Sequence, residues 1–281
     1  MILLDLNATT FSVLHATGLG ADINKENIQY TILNCIRSYN MKFKDEYGDL
    51  VICTDARNYW RKDVFPYYKA RRKLDREKSK IDWSQVFSWF DEVKSDLIEY
   101  FPYPVIAVDK AEADDLIAVI SRSAVFDSSH KNKVLILASD SDFGQLHEWW
   151  IDQYNPVRKK KFEVSNPTKY LREHIIEGDA GDGIPNVLSD DDTFVTGKRQ
   201  KVLTKQRKEH LLTADIDTFP ESVKRNYARN RELIDFNCIP QNLQNEIWTT
   251  FKNTPIKNKS KLFNYFYDRK LVKFIENLQE F

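Results

Sequence analysis

Residues 133–146 read KVLILASDSDFGQL, and the fold turns on them. Val134-Leu135-Ile136-Leu137 is a short apolar run of the kind that forms a strand buried on both faces. Ser139-Asp140-Ser141-Asp142 follows at once. Two carboxylates therefore lie just past the end of a buried strand, where sites are built in open α/β sheets. Alone, Asp140 and Asp142 would serve equally well as turn or N-cap residues of the next helix. The rest of the chain separates the two readings, because the pattern recurs.

Working outward, residues 2–6, 50–54 and 105–108 read as further strands, ending at Asp5, Asp55 and Asp109. Residues 24–39, 82–100 and 111–125 carry helical spacing of apolar residues. Residues 149–154 form another expected strand, with 157–164 pairing beside it as a hairpin or edge. Alternation of buried strands and helices argues an α/β fold with a mostly parallel central sheet and helices on both faces. Beyond about Leu171 the strand signal stops, and helices are expected at 169–177, 221–233, 241–251 and 260–278. The expected division is an α/β core at 1–180, with a basic helical arch at about 57–80, and a C-terminal helical region at 181–281.

The acids recur at the strand ends. Glu112, Asp114 and Asp115 open the helix after the third strand, with Glu112 and Asp115 sharing one helix face. Asp179 and Asp182 lie in a Gly-Asp-Ala-Gly-Asp-Gly turn. Each group has an ordinary explanation, since helix first turns favour acids and flexible turns are often solvated. Together they do not, because parallel strand ends converge on one sheet edge. Two like charges ~4 Å apart repel by roughly 4 kcal/mol at an effective dielectric of 20, so cations are required. Carboxylates without patterned Cys or His point to Mg²⁺ or Mn²⁺ rather than zinc. Two such ions suit an in-line displacement at phosphorus. The histidines, His15, His130, His147, His174 and His210, show no ligand spacing among themselves and read as surface or core residues, His147 on a helix face.

A basic and aromatic stretch, YWRKDVFPYYKARRK at 59–73, begins just after Asp55. A solvated helix is the ordinary reading of a charge run. Interleaved aromatics and the neighbouring acids favour phosphate neutralisation, base stacking and a cation at a scissile phosphate. A second basic segment, Lys198, Arg199, Lys201, Lys205, Arg207 and Lys208, suits a duplex backbone.

The 281 residues carry a formal net charge of zero, so the charge distribution, not the total, suggests nucleic acid. At 42% hydrophobic and 30% charged, the chain reads as soluble and globular. No apolar run approaches the ~18 residues of a membrane span. The start lacks the marks of a signal peptide. Cys35, Cys53 and Cys238 form no CxxC pair and read as reduced thiols of a cytoplasmic protein.

The residues that combine most specifically are Leu4-Asp5, Cys53-Thr54-Asp55, WRKD at 60–63 followed by YYKARR at 67–72, and EADD at 112–115. SDSDFGQLH at 139–147, GDAGDGIPN at 178–186 and LIDF at 233–236 complete the set. Their order and spacing resemble the structure-specific 5′ nuclease (flap endonuclease) superfamily, and within it the ribonuclease H branch of T-even-type bacteriophages. The resemblance runs over nearly the whole chain. It implies a two-metal phosphodiesterase using two Mg²⁺, with Mn²⁺ able to substitute. Asp5, Asp55, Glu112, Asp114 and Asp140 would surround the first ion, and Asp142, Asp179 and Asp182 would serve the second. Asp115 would support them. Lys69 and Arg72 would contact the scissile phosphate, and Arg61 a nearby phosphate. Arg57, Lys62, Arg71 and Lys73 of the arch, with Lys198, Arg199, Lys201 and Lys205, would bind nucleic acid.

The implied activity is 5′→3′ exonuclease and 5′-flap endonuclease action on RNA–DNA hybrid, duplex and forked DNA, removing RNA primers from lagging-strand fragments. The implied setting is phage replication in the host cytoplasm, as a monomer. The replication single-strand DNA-binding protein is the expected partner, through the C-terminal helices. A sliding clamp is less expected, since no N-terminal clamp peptide precedes the first strand. Many relatives follow the Gly/Asp turn with a Gly-x-Gly helix–turn–helix that binds duplex through potassium. Here residues 186–199 read NVLSDDDTFVTGKR, without the paired glycines, which argues against a potassium site and makes Asp190, Asp191 and Asp192 a solvated loop. The competing functions are a PIN-type endoribonuclease and a non-catalytic junction-binding protein. The chain's length and its arch disfavour the first, and the complete acid set disfavours the second.

Overall fold

The computed structural model describes residues 1–16, 24–124 and 133–281. β1 (Ile2–Asp5) runs without a loop into α1 (Leu6–Ala16), and α2 (Lys25–Tyr47) leads to β2 (Leu50–Cys53). α3 (Trp60–Val64), α4 (Ala70–Glu77) and α5 (Trp83–Tyr100) separate β2 from β3 (Val105–Ile106). α6 (Ala113–Ser123), β4 (Val134–Leu137), β5 (Ile151–Asn155) and β6 (Lys160–Phe162) follow. The remainder is helical: α7 (Pro167–Glu177), α8 (Lys205–Thr213), α9 (Glu221–Ile234), α10 (Gln241–Asn253), α11 (Leu262–Asp268) and α12 (Val272–Ile275).

The strands form one sheet in the order β3-β2-β1-β4-β5-β6. All neighbours are parallel except β6, which pairs antiparallel to β5 as the expected edge. The strand order reverses between β1 and β4, and a crevice opens at such a switch point beyond the carboxyl ends of the strands. Register places the site there: Asp5 pairs with Cys53, and Leu4 pairs with both Ile52 and Leu137. Asp5, Asp55 and Asp140 thus leave three adjacent strands at one edge.

The continuous apolar runs divide by alternation. Leu3, Val51, Cys53 and Ile136 pack on one face with α6 and with Leu243, Ile247 and Phe251 of α10. Ile2, Leu4, Leu50, Ile52, Leu135 and Leu137 pack on the other with α2 and α5, and with Leu262, Phe266 and Phe274 of the C-terminal helices. A third cluster joins Phe65 and Tyr68 to α7, α8 and α9. Residues 181–281 therefore close on no core of their own but are shared among three.

Local chemistry sets the helix ends. Asn24, Asp82 and Asn166 accept backbone N–H groups at the starts of α2, α5 and α7. Gly178 ends α7 at φ 69°, and a Cβ there would meet Ile184 O at 2.4 Å, so only glycine fits.

Several boundaries differ from expectation. α2 runs on to Tyr47 because Phe43 and Tyr47 extend its buried face. The helix expected at 260–278 is broken, with Lys270 left-handed at φ 57° between α11 and α12. Val125, the expected end of α6, lies outside the described residues. β3 stops at Ile106, leaving Asp109 exposed in a turn closed by Ala111 N–H donating to Val108 O. Among the described residues the three cysteines are free thiols, and no helix is long and apolar enough to cross a membrane.

Candidate active site

Asp5 is buried at the end of β1, and its Oδ1 accepts the backbone N–H of Ala8 at 2.8 Å. Burial and the neighbouring Asp55 push its carboxyl up to about 7. Asp55 accepts Ala113 N–H at 2.8 Å, which ties the β2 exit to the first turn of α6, and burial raises its carboxyl too. Asp114 is held well above the carboxylate range by burial, then by Asp140 and Asp5. Burial of its carboxyl, then Asp142, lifts Asp140 to about 8, although the residue as a whole is exposed. Four acids in one place thus resist ionisation, the signature of carboxylates short of positive charge.

The α6 N-terminus supplies a different pair. Glu112 and Asp115 form a capping box. Asp115, fully buried, accepts Trp60 Nε1 at 3.1 Å and Arg61 at 3.0 Å. Glu112 accepts Arg61 and the Tyr68 hydroxyl, each at 2.9 Å, and pairs with Lys69. Burial opposes the Lys69 charge, but Asp182 and Glu112 outweigh it and raise its pKa well above the usual value.

Lys69 sits in the left-handed region at φ 55°, and its N–H donates to Asp182 O at 2.7 Å. The arch base is thereby docked onto the Gly178–Gly183 turn. The Tyr68 hydroxyl also lies 2.8 Å from Asp182, so its single proton serves one of the two acids at a time, and Asp182 pairs with Arg72. Burial would raise its carboxyl, yet Lys69 and Arg72 prevail and hold it below the usual range.

Asp142 and Asp179 meet His174, which the sequence reading took for a surface or core residue. His174 Nε2, in the last turn of α7, lies 3.1 Å from Asp142 Oδ1 and 3.7 Å from Asp179 Oδ2. Ligand atoms of the three lie within 4.8 Å of one another. Burial would lower the imidazolium pKa, but Asp142 and Asp179 lift it to about 9. The signal was hidden because the chain reverses at Gly178, so sequence spacing carried no ligand pattern.

A family model described as the 5′-3′ exonuclease N-terminal resolvase-like domain matches residues 1–175. Another, described as the T4 RNase H C-terminal region, matches residues 168–281. The chain belongs to the 5′→3′ exonuclease family. It is a nuclease. A ribonuclease H of Enterobacteria phage T4 is 32% identical over 275 residues, covering 92% of this chain and 88% of that protein. The fold is shared with a bacteriophage T5 5′-exonuclease bound to zinc, at a TM-score of 0.62 and 13% identity over 90% of this chain and 98% of that one. A T5 flap endonuclease in complex with DNA and metal ions gives 0.63 and 14% over 89% and 97%.

Within this family framework, Arg61 is a correction. It was expected at a phosphate, but it is 2% exposed, pairs with Glu112 and Asp115, and donates from Nε to Leu233 O at 2.7 Å. Its charge serves the carboxylates and holds the LIDF segment, which Gln145 also grips through Ile234 O and Phe236 N.

Lys198 and Lys201 are exposed. They pair with Asp192 at 2.9 Å and Asp190 at 3.0 Å, the acids of their own loop, while Asp191 pairs with Arg225 and Arg229. The loop is ion-paired rather than simply solvated. Arg57, Lys62, Lys73, Arg199 and Lys205 are exposed, and Arg71 is exposed beside Asp75. His147 is not on a helix face: Nδ1 accepts Val164 N–H at 3.1 Å, so Nε2 donates to Gln153 Oε1 at 3.0 Å. Gln153 in turn donates to Ala138 O and Asp140 O, steadying the β4 exit. His130 lies outside the described residues, and so does the side chain of His15.

Proposed function

We propose that this nuclease is a divalent-metal-dependent 5′→3′ exonuclease and 5′-flap endonuclease, acting on RNA–DNA hybrid and on flapped or forked DNA to remove RNA primers during phage replication in the host cytoplasm. The observation that carries the reading is the set of raised carboxyls of Asp5, Asp55, Asp114 and Asp140, left without a matching cation directly beside Lys69 and Arg72. The donor set is carboxylate oxygen, which fits Mg²⁺ or Mn²⁺. Asp5, Asp55, Asp114 and Asp140 would hold one ion, with Glu112 at its edge. Asp142 and Asp179 would hold the second, with Asp182 adjoining. Two bound ions would supply the positive charge that an in-line displacement at phosphorus needs on its attacking and leaving sides.

The chain's own groups do the rest. Lys69 and Arg72 exchange Glu112 and Asp182 for the scissile phosphate and stabilise its added charge. Tyr68, whose hydroxyl lies within hydrogen-bond distance of both acids, donates to whichever of them the cations release. Trp60, Arg61 and Asp115 fix the α6 N-terminus from which Asp114 projects. Exposed Arg57, Lys62, Arg71 and Lys73 line the approach, and Arg199 and Lys205 extend it along duplex. The relatives' names, a ribonuclease H and a flap endonuclease, support this substrate range.

Duplex binding without potassium is supported by the loop after Gly183. There Arg229 and Asn230 donate to Pro185 O, and Asn226 donates to Val187 O and Ser189 O. The replication single-strand-binding protein is the proposed partner, through the C-terminal helices, where Phe263, Tyr267 and Val272 are exposed.

The test is cleavage of a 5′-end-labelled RNA–DNA hybrid and of a 5′-flap substrate with Mg²⁺ or with EDTA. Release of short 5′ products with Mg²⁺ alone is the expected result. Intact substrate in both would overturn the reading.

A further inference from the structure

Donor chemistry distinguishes the two halves of the acid cluster. Around Asp5, Asp55, Asp114 and Asp140 every candidate donor is a carboxylate oxygen. Around Asp142 and Asp179 the third converging atom is a nitrogen, His174 Nε2. We propose that His174 is a direct nitrogen ligand of the divalent ion held by Asp142 and Asp179, so that this nuclease has one all-oxygen site and one mixed nitrogen–oxygen site. The inference rests on the metal-dependent reading above and goes beyond it in assigning a ligand and a metal preference.

The geometry separates a ligand from an ordinary buried ion pair. A structural imidazole–carboxylate pair aligns its N–H with an oxygen lone pair. Here His174 Nε2 and Asp142 Oδ1 are buried and 3.1 Å apart, close enough for Asp142 to favour the imidazolium, but the N–H is not aligned on the oxygen. A poorly aligned buried pair is costly, and an ion between the two atoms would displace the imidazolium proton to solvent and give both a partner.

The ring is also held. Tyr170, one helical turn earlier, lies parallel to it with planes 3° apart, and its hydroxyl donates to Ser141 O at 2.8 Å. That bond ties the His174 face of α7 to the segment bearing Asp142. Asp179 commits its Oδ1 to Asp182 N–H at 3.0 Å and leaves Oδ2 on the His174 side. Gly178 permits the reversal that brings Asp179 back beside the histidine, since a side chain there would strike Ile184 and Pro185. All three donors are therefore positioned by the fold before any ion arrives.

The chemical consequence is selectivity. Imidazole is a good donor to first-row transition ions, whereas Mg²⁺ takes oxygen ligands and retains its waters. The second site therefore favours Mn²⁺ over Mg²⁺, and the first discriminates less.

The test uses this 281-residue chain, stripped with EDTA and titrated with Mn²⁺ without nucleic acid. Electron spin-echo envelope modulation of the Mn²⁺-loaded protein is expected to show ¹⁴N coupling from one coordinated imidazole. His174→Gln should abolish it, and His147→Gln, whose ring is committed to Gln153 and Val164, should retain it. By calorimetry, His174→Gln should weaken one Mn²⁺ step by at least about 10-fold, the lower end of what even an indirect ligand contact is worth. Its effect on Mg²⁺ should be smaller, under about threefold. Bound Mn²⁺ without nitrogen coupling in the wild-type protein overturns the assignment and leaves the nuclease reading standing. Coupling that survives in His174→Gln also overturns it. The wild-type spectrum can overturn the assignment even if His174→Gln fails to fold, and retained coupling in His147→Gln still excludes that ring as its source. Absence of cleavage with any divalent ion would instead strike the nuclease reading.

Discussion

Two acid-rich regions of the described chain behave oppositely. At the β1/β4 edge, Asp5, Asp55, Asp114 and Asp140 crowd together with their carboxyls raised, because the chain brings too few cations to them. In the loop at 190–192, each aspartate has a cation of its own: Lys201 for Asp190, Arg225 and Arg229 for Asp191, Lys198 for Asp192. There the side-chain bond from Lys201 lowers the Asp190 carboxyl. Three consecutive acids are denser in sequence than four scattered ones. What marks a site for external cations is charge that the fold concentrates and then leaves unpaired. Where the fold supplies the partners, the acids are scaffold.

The sharpest way to break this contrast is to neutralise one acid at the edge. Asp140→Asn is expected to reduce flap cleavage by about 10³-fold, the scale of losing an electrostatic stabiliser at the reacting phosphate, with duplex binding retained. Cleavage rates and a binding isotherm on the same labelled flap check it, and unchanged cleavage would erase the distinction.

Next in size is the scaffold beneath the edge. Arg61→Ala leaves Glu112 and Asp115 buried without their common partner, and is expected to cost about 3–5 kcal/mol in urea unfolding. A cost typical of an exposed pair would mean that the arginine is not the scaffold it looks like.

The edge also predicts a pH dependence. Asp5 and Asp140 hold protons up to about 7 and about 8 when folded, against ~3.9 unfolded. Raised folded values mean that the stability they contribute is full below about pH 4 and is lost as pH rises through 7 to 8. Metal-free protein should therefore melt at lower temperature at pH 8.5 than at pH 6. Added Mg²⁺ should raise the melting temperature more at the higher pH. A flat profile in EDTA would remove the electrostatic argument for a metal centre.

The smallest effect belongs to the loop. Asp192→Asn removes an exposed partner of Lys198, and such pairs contribute little, so flap cleavage should stay within about twofold of wild type. A loss approaching that of Asp140→Asn would merge the two regions functionally.

The arrangement of strands was legible because a buried parallel strand needs an apolar run, and the runs at Ile2, Leu50 and Val134 are short, pure and followed by acids. Only the parts of the acid set that terminate elements were visible in this way. Asp109 looked equivalent to Asp55, but β3 ends two residues before the apolar run does, and a turn carries the aspartate into solvent. Arg61 looked like every other cation of its stretch. Nothing in a charge run says which member turns inward, and here α3 is anchored by Trp60 on Asp115, so the next residue faces Glu112.

By itself, then, the sequence determined the sheet, its family, and the acids that leave its strands, because strand burial and strand-end position are properties of short contiguous segments. Tertiary structure alone decided which charges are shared. Pairings such as Lys69 with Glu112, Lys201 with Asp190 and His174 with Asp142 join segments brought together only by folding. Electrostatic energy depends on distances in space and on exclusion of water, and neither is written in residue order.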